Sequence, residues 1–408
     1  MSGPGRTPTP VAGTLTGIRV VEIGSNIAGP LAAMILGDLG ADVVKIENPV
    51  AGDDTRSLAP MVDGDSTVFR SFNRSKRSVA LDLRNDAGRA AALRIAAQAD
   101  VVIQNLRPGV VERLGVGFDA VSAANDRVIY CSISAFGPGE VGATMPGYDA
   151  LVQAFSGIMA STGHPGDGDG GGPVRVSSSL VDISTGVWAA LGILAALLRR
   201  PSLSGPQYVE PALLDSALTL MGHQVTSSLL TGEVPERLGS GSPSFSPYQA
   251  YRASDDWVFV AAGSNRLFAK LCGLLGCPEL ATDQRFAAPA ARTAHREVLN
   301  KELEERFRTA PVEEWVIRLA AVGIPVCPVY DLPHALASPV TAERGLLLDG
   351  FLRLPVDTPT RPAYSPPPPL GQHTRAVLTE AGLTATEIDD LLGSGGRSAG
   401  SCPERTTG

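Results

Sequence analysis

From residue 17 onward, short β-branched apolar runs alternate with longer amphipathic stretches. GIRVVEIG (17–24) and ADVVKIE (41–47) have the continuous apolar character of strands buried on both faces. PLAAMILGDLGA (30–41) carries the spacing of a helix and closes at Gly40. SVALDL (78–83), DVVIQNL (100–106) and VIYCSIS (128–134) predict further strands, and DAGRAAALRIAAQA (86–99) predicts a helix. Such alternation is the signature of a doubly wound, mostly parallel α/β sheet, a Rossmann-like large domain.

The pattern changes twice more. SSSLVDISTGVWAALGILAALLRR (177–200) predicts a long buried helix that ends in two arginines and Pro201, and EPALLDSALTLMGHQVTSSLLTG (210–232) predicts a second helical block. After the Gly/Ser/Pro-rich stretch 238–249, YQAYRASDDWVFVAAG (248–263) predicts a hairpin opening a smaller α+β domain. The expected organisation is a flexible tail at 1–16, the large domain at 17–230, the small domain at 245–330, a return segment at 331–393 and a second tail at 394–408. HPGDGDGGGP (164–173) reads as a flexible loop, and RPAYSPPPPLGQHT (361–374) as a stiff extended arm.

Composition narrows the classes. With 44% hydrophobic and 19% charged residues the chain is expected to be globular, and a net charge of −8 argues against a general nucleic-acid binder. Cys131, Cys272, Cys277, Cys327 and Cys402 are scattered without a C-x-x-C pair, and the five histidines form no H-E-x-x-H, so neither a disulfide framework nor a metal site is expected. The start of the chain lacks a signal-peptide core, and the apolar run after Gly186 stops short of the ~18 residues of a membrane span. A cytoplasmic protein with no membrane and no nucleic-acid partner is the expectation.

Three stretches carry candidate chemistry. Asp182, at the start of the long helix, suits either a helix cap or a desolvated carboxylate nucleophile, and local sequence does not choose between them. As a nucleophile it is expected to be kept ionised by the helix dipole. Arg70, Arg74, Lys76 and Arg77 crowd one turn with Phe69 and Phe72 interleaved, which reads as a solvated surface or as a site for a phosphorylated, ring-bearing ligand. NLRPGVVERLG (105–115) adds Arg107 and Arg113 near the end of a strand, the usual ligand edge of such sheets. No complete G-x-G-x-x-G and no G-x-S-x-G is present, which weakens a dinucleotide or serine-hydrolase reading.

In this order, GADVVKIE, NRSKRSVALDL, ADVVIQNLRPGVVERLG, GYDALVQAFSGIMASTG, VDISTG and PLGQHTRAVL resemble the family III coenzyme A transferases, relatives of formyl-CoA transferase and carnitine CoA-transferase, over roughly 17–393. The resemblance implies that Asp182 is the catalytic aspartate. It implies that Arg74, Lys76, Arg77, Asn105, Leu106, Arg107 and Arg113 bind CoA, and that Ile27 and Ala28 lie beside the thioester, with an isoleucine where relatives carry a polar residue. It implies an interlaced homodimer that takes acyl-CoA and a carboxylic acid as substrates, with no tightly bound cofactor. The same fold hosts 2-methylacyl-CoA racemases, in which a His-Asp pair stands at Tyr148-Asp149, here substrate-site candidates. A phenol titrates near 10 against about 6.5 for imidazole, so the racemase lacks its second base here and the transferase is favoured. A racemase and a non-catalytic CoA-binding protein remain the alternatives.

Overall fold

The computed structural model of the chain describes residues 13–166, 171–348, 350–356 and 364–395. These fall into two compact units. The first comprises residues up to 156, residues 176–225 and everything from 346 onward; the second comprises 157–175 and 226–345. The segment 157–175, expected in the large domain, thus belongs to the second unit. Its backbone is tied to the rest of that unit by Gly239 N–H to Gly163 O at 2.8 Å. Part of the predicted glycine loop, 167–170, lies outside the described residues, as do 361–363 of the proline-rich stretch.

The first unit is built on a six-stranded sheet of β1 (Arg19–Ile23), β2 (Asp42–Glu47), β3 (Lys76–Ala80), β4 (Val101–Gln104), β5 (Ile129–Ser132) and β6 (Gln207–Val209). The strand order is β3-β2-β1-β4-β5-β6, and every pair is parallel. The order reverses between β1 and β4, which opens a crevice at the carboxyl ends of those strands. β3 begins two residues before the predicted run. β6, only QYV, has too little apolar pattern to be seen in sequence.

Side chains alternate across the sheet. On one face Val21, Ile23, Val44, Ile46 and Val79 pack with Ala91, Ala92 and Ile95 of α2 (Asp86–Ala96) and with Val377, Leu378 and Ile388 near the C-terminus. On the other, α1 (Ala28–Asp38) lies against the long helix α4 (Leu180–Arg199). Their contact is close because Gly186 has no side chain: a Cβ there would stand 2.9 Å from Ala28 O and 3.1 Å from Leu31. Two short helices complete the site's frame, α3 (Asp149–Phe155) and α5 (Leu213–Met221), the latter ending at Gly222 with φ +49.

Two expectations need correction. The apolar stretch of α4 is longer than its sequence suggested: the helix starts at Leu180 and, by length and composition alone, could cross a membrane. One side of it is instead core, with Val181, Thr185, Ala189, Ala190 and Ile193 buried. The expected N-terminal tail is also shorter, because Leu15 is buried and its N–H donates to Leu39 O at 2.9 Å.

The chain beyond 346 closes the outer edge of β3. Ser75 N–H donates to Ser365 O at 3.0 Å, His373 N–H to Ser78 O at 2.9 Å, and Ala80 N–H to Thr374 Oγ1 at 3.0 Å. An edge that would otherwise present unpaired backbone groups is covered. The second unit has a three-stranded antiparallel sheet of β7 (Tyr248–Arg252), β8 (Trp257–Ala261) and β9 (Val326–Pro328), with the predicted hairpin as β7-β8. Phe268, Phe307, Trp315 and Tyr251 fill its core.

Candidate active site

Asp182 sits in the first turn of α4, half-buried, and its carboxylate has no hydrogen bond or ion pair among the described residues. It is therefore not the cap of its own helix. Gly186, one turn on, shares its helix face. At Gly186 that face meets Ala28 O, at the start of α1.

The cap comes from elsewhere. Ser179, at the N-cap position, makes no side-chain bond. Instead Asp149, the first residue of α3, accepts the Val181 N–H at 2.8 Å and the Asp182 N–H at 3.2 Å on its Oδ2. Its Oδ1 accepts Gln153 Nε2 at 2.6 Å, and Gln153 Oε1 in turn accepts the Val176 N–H at 3.0 Å. Asp149 is buried, whereas Tyr148 beside it is exposed. Burial, and then the charge of Asp149, push the Asp182 carboxyl up to about 7. This corrects the expectation that the helix dipole holds Asp182 ionised: the N–H groups that would do so serve Asp149.

The turn between β1 and α1 is held by buried charges. Glu22, in register with Lys45 on β2, accepts Lys45 Nζ at 2.5 Å on one oxygen and Lys76 Nζ at 2.7 Å on the other. Lys45 also donates to Gly24 O at 3.0 Å and ion-pairs with Asp53 at 2.8 Å. Lys76 donates to Pro30 O at 2.8 Å and Asn73 Oδ1 at 2.9 Å. Burial and the neighbouring Lys45 charge pull Lys76 down to about 8, against the pull of Glu22. From the crevice side, Asn105 accepts the Ser25 N–H at 3.0 Å and donates to Ser25 O at 2.7 Å. Glycine is required opposite it, because a Cβ at Gly24 would lie 2.5 Å from Asn105 Oδ1.

The cations of the basic run divide accordingly. Arg74 is buried, donates to both oxygens of Asp38 at 2.5–3.2 Å and lies 4.4 Å over the Tyr364 ring. Lys76 has all three donors occupied inside. Arg77 pairs with Asp42 at 2.6 Å and Glu380 at 2.9 Å. The surface-or-ligand reading of this run is thus corrected for Arg74 and Lys76, which are interior. The exposed guanidinium groups of Arg107 and Arg113 have no side-chain partner among the described residues. At the carboxyl ends of β1, β2 and β3 lies a cavity of about 300 Å³, whose lining includes Ser25, Asn48, Leu83, Arg84, Leu106 and Leu114. Arg84, 70% exposed and bonded to Asp82, is the cation that lines it. Sequence reasoning passed over Arg84 because it closes the basic run just past the strand, and that position after a strand end was the available signal.

Comparison with known proteins gives the family. The sequence profile of CoA-transferase family III matches residues 15–374. The chain is 37% identical over 343 residues to the acetyl-CoA:oxalate CoA-transferase of Acetobacter aceti, covering 84% of this chain and 87% of that one. It is 34% identical over 395 residues to the succinyl-CoA:glutarate CoA-transferase of Mus musculus, covering 93% and 89%. A crystal structure of a CaiB/BaiF family protein from Brucella suis superposes with a TM-score of 0.83 at 35% identity, covering 91% of this chain and all of that one.

The environment of Asp182 generates a stability prediction. Folded, its carboxyl holds a proton up to about 7; unfolded, it releases it near 3.9. Between these values the folded state binds more protons, so the contribution of Asp182 to stability falls as pH rises through that window. Asp182→Asn, neutral throughout, is expected to melt above the unmodified protein at pH ~8 and level with it at pH ~4. Thermal melts at the two pH values check this, and a difference independent of pH would contradict it.

Proposed function

The chain belongs to CoA-transferase family III and is a CoA-transferase; on that premise we propose that it moves CoA from an acyl-CoA thioester to a free carboxylic acid, with Asp182 as the covalent nucleophile. The observation that carries this reading is a half-buried carboxylate without hydrogen bonds among the described residues, at the start of the helix that packs on α1. An Asp182 oxygen attacks the thioester carbonyl; a C–O bond forms, the C–S bond breaks, and an acyl-aspartyl anhydride and CoA thiolate result. The thiolate attacks the aspartyl carbonyl and expels the donor acid, leaving an aspartyl-CoA thioester. The acceptor carboxylate then attacks that thioester, and the released thiolate attacks the acceptor's acyl carbon, freeing Asp182. One thioester replaces another, so no ATP or metal enters the sequence of steps.

The geometry supplies what these steps need. First-turn N–H groups of α1, at Ala28 and Gly29, have no intrahelical acceptor and suit the oxyanion of each tetrahedral intermediate. Ile27 makes that turn apolar on its side-chain side. The cavity beside Leu106 and Arg84 suits the CoA nucleotide, with Arg107 and Arg113 at hand for its phosphates and Asn105 shaping the turn between the two regions. The relatives named above act on oxalate and glutarate, so dicarboxylic acids head the panel of acceptors.

A carboxyl pushed to about 7 also suits proton transfer, and this keeps the 2-methylacyl-CoA racemase as a second reading. It differs in one measurable respect: a racemase exchanges the α-proton in deuterated water with no second acid present.

Homodimerisation belongs to the same proposal. Ile183, Val187, Trp188 and Leu191 of α4, with Leu151 and Phe155 of α3, are exposed apolar side chains. A second copy is the occupant that an interlaced dimer implies, and such an area of apolar surface is unusual on a monomer.

Three outcomes are expected. Hydroxylamine added during turnover should convert Asp182 to a hydroxamate detectable by peptide mass, and Asp182→Asn should fold without transferring CoA; a freshly purified, fully active Asn variant would refute the mechanism. Arg84→Ala should raise the KM for acyl-CoA and leave the melting temperature in place, whereas Arg74→Ala, which leaves Asp38 buried and unpaired, should cost about 3–5 kcal/mol of stability. Reversed effects would return the nucleotide to the basic run. Sedimentation equilibrium should give twice the mass of one chain, and a monomer at micromolar concentration would count against the dimer.

A further inference from the structure

Asp149 is a buried carboxylate bonded to the backbone of Asp182, and nothing in the proposed chemistry consumes it. Its two oxygens are filled by three donors: the N–H groups of Val181 and Asp182 on Oδ2, and Gln153 Nε2 on Oδ1. A carboxylate so bonded is fixed as an acceptor. Those two N–H groups are the first donors of α4, the ones that would otherwise stabilise any anion at the helix start. Asp182 stands at that start with no donor of its own.

We propose that Asp149 is a positioning residue for the transfer reaction: it takes up the N-terminal donors of α4, fixes the backbone of Asp182 through a direct bond, and so leaves the Asp182 carboxylate without a helix donor. The inference rests on Asp182 being the nucleophile. A carboxylate stabilised by helix N–H groups is a weaker base and a weaker nucleophile, and one deprived of them is the reverse. Gln153 is the second member of the device. It bonds Asp149 on one side and the backbone of Val176 on the other, so the segment leading into α4 is held by the same pair.

The groups around Asp182 are few. The elements packed on α4 bring Asp38 from α1, Asp149 from α3, Asp215 from α5, Tyr130 and Cys131 from β5, Tyr208 from β6, and Arg200 just past the helix end. Asp38 and Arg200 are paired, with Arg74 and Asp100. Of all these, Asp149 alone acts on the charge of Asp182.

The test reads Asp182 directly and without turnover. With 13C-labelled aspartate, the Asp182 carboxyl signal, identified by its loss in Asp182→Asn, is titrated by NMR in the unmodified protein and in Asp149→Asn. Asp149→Asn keeps the shape and one acceptor oxygen but removes the charge. The Asp182 midpoint is expected near pH 7 in the unmodified protein and lower in the variant. In the transfer assay, kcat of Asp149→Asn should fall about tenfold to a hundredfold while the KM for acyl-CoA stays within about twofold. Gln153→Leu, which keeps Asp149 but loosens it, should lower kcat by a smaller factor. An unchanged Asp182 midpoint together with unchanged kcat in folded Asp149→Asn overturns the proposal. Because the titration needs no activity, it still gives an answer if Asp182 proves not to be the nucleophile.

Discussion

The geometry of the site depends on one buried carboxylate clamped between two lysines. Glu22 sits near the centre of the sheet, fully buried; Lys45 reaches it from the adjacent strand β2 and Lys76 from β3, one strand further out. A group of this kind is poor evidence for added stability, because desolvation offsets most of the attraction. What it supplies is direction. One further donor of each lysine goes to a backbone carbonyl flanking the turn between β1 and α1, Gly24 O before it and Pro30 O in the first turn of α1. Ile27 and Ala28 lie between those anchors, so the first-turn N–H groups of α1 are held in place by these buried charges.

The sheet was legible because parallel strands covered on both sides read as unbroken apolar runs, and five of the six strands have such runs. The interior role of Arg74 and Lys76 was not. A cluster of cations beside phenylalanines has the composition of a surface patch, and the acids that neutralise it, Asp38 and Glu22, lie 36 and 54 residues away. Parallel pairing of β1, β2 and β3 brings Glu22 to Lys76, and the end of α1 brings Asp38 to Arg74. The same holds for Asp149, whose bond to the start of α4 spans 33 residues. Asp182 itself could be singled out from its apolar surroundings, but whether it capped its own helix was a question about Asp149, and no local pattern carries that answer.

Two carboxylates at one helix start have therefore separated their roles. Asp149 takes the donors; Asp182 takes the desolvation and the repulsion of Asp149, with no donor on its oxygens among the described residues. The arrangement places strain where the chemistry needs it, a common feature of active sites, while the rest of the unit is satisfied. The short approach of Gly186 to Ala28 completes it, since any side chain there would push α1 away from Asp182.

The cover on β3 has a consequence for how the chain is made. Ser75 and Ser365, which bond across that edge, are 290 residues apart in sequence. At a synthesis rate of about 5–20 residues per second, the second arrives roughly 15 to 60 s after the first. Throughout that interval the growing sheet presents an open edge next to the lysine that orients the site. The second unit, whose two stretches 157–175 and 226–345 both precede Ser365, emerges in the meantime. Contacts this distant slow folding, and the exposed edge makes the nascent chain a natural client for chaperones.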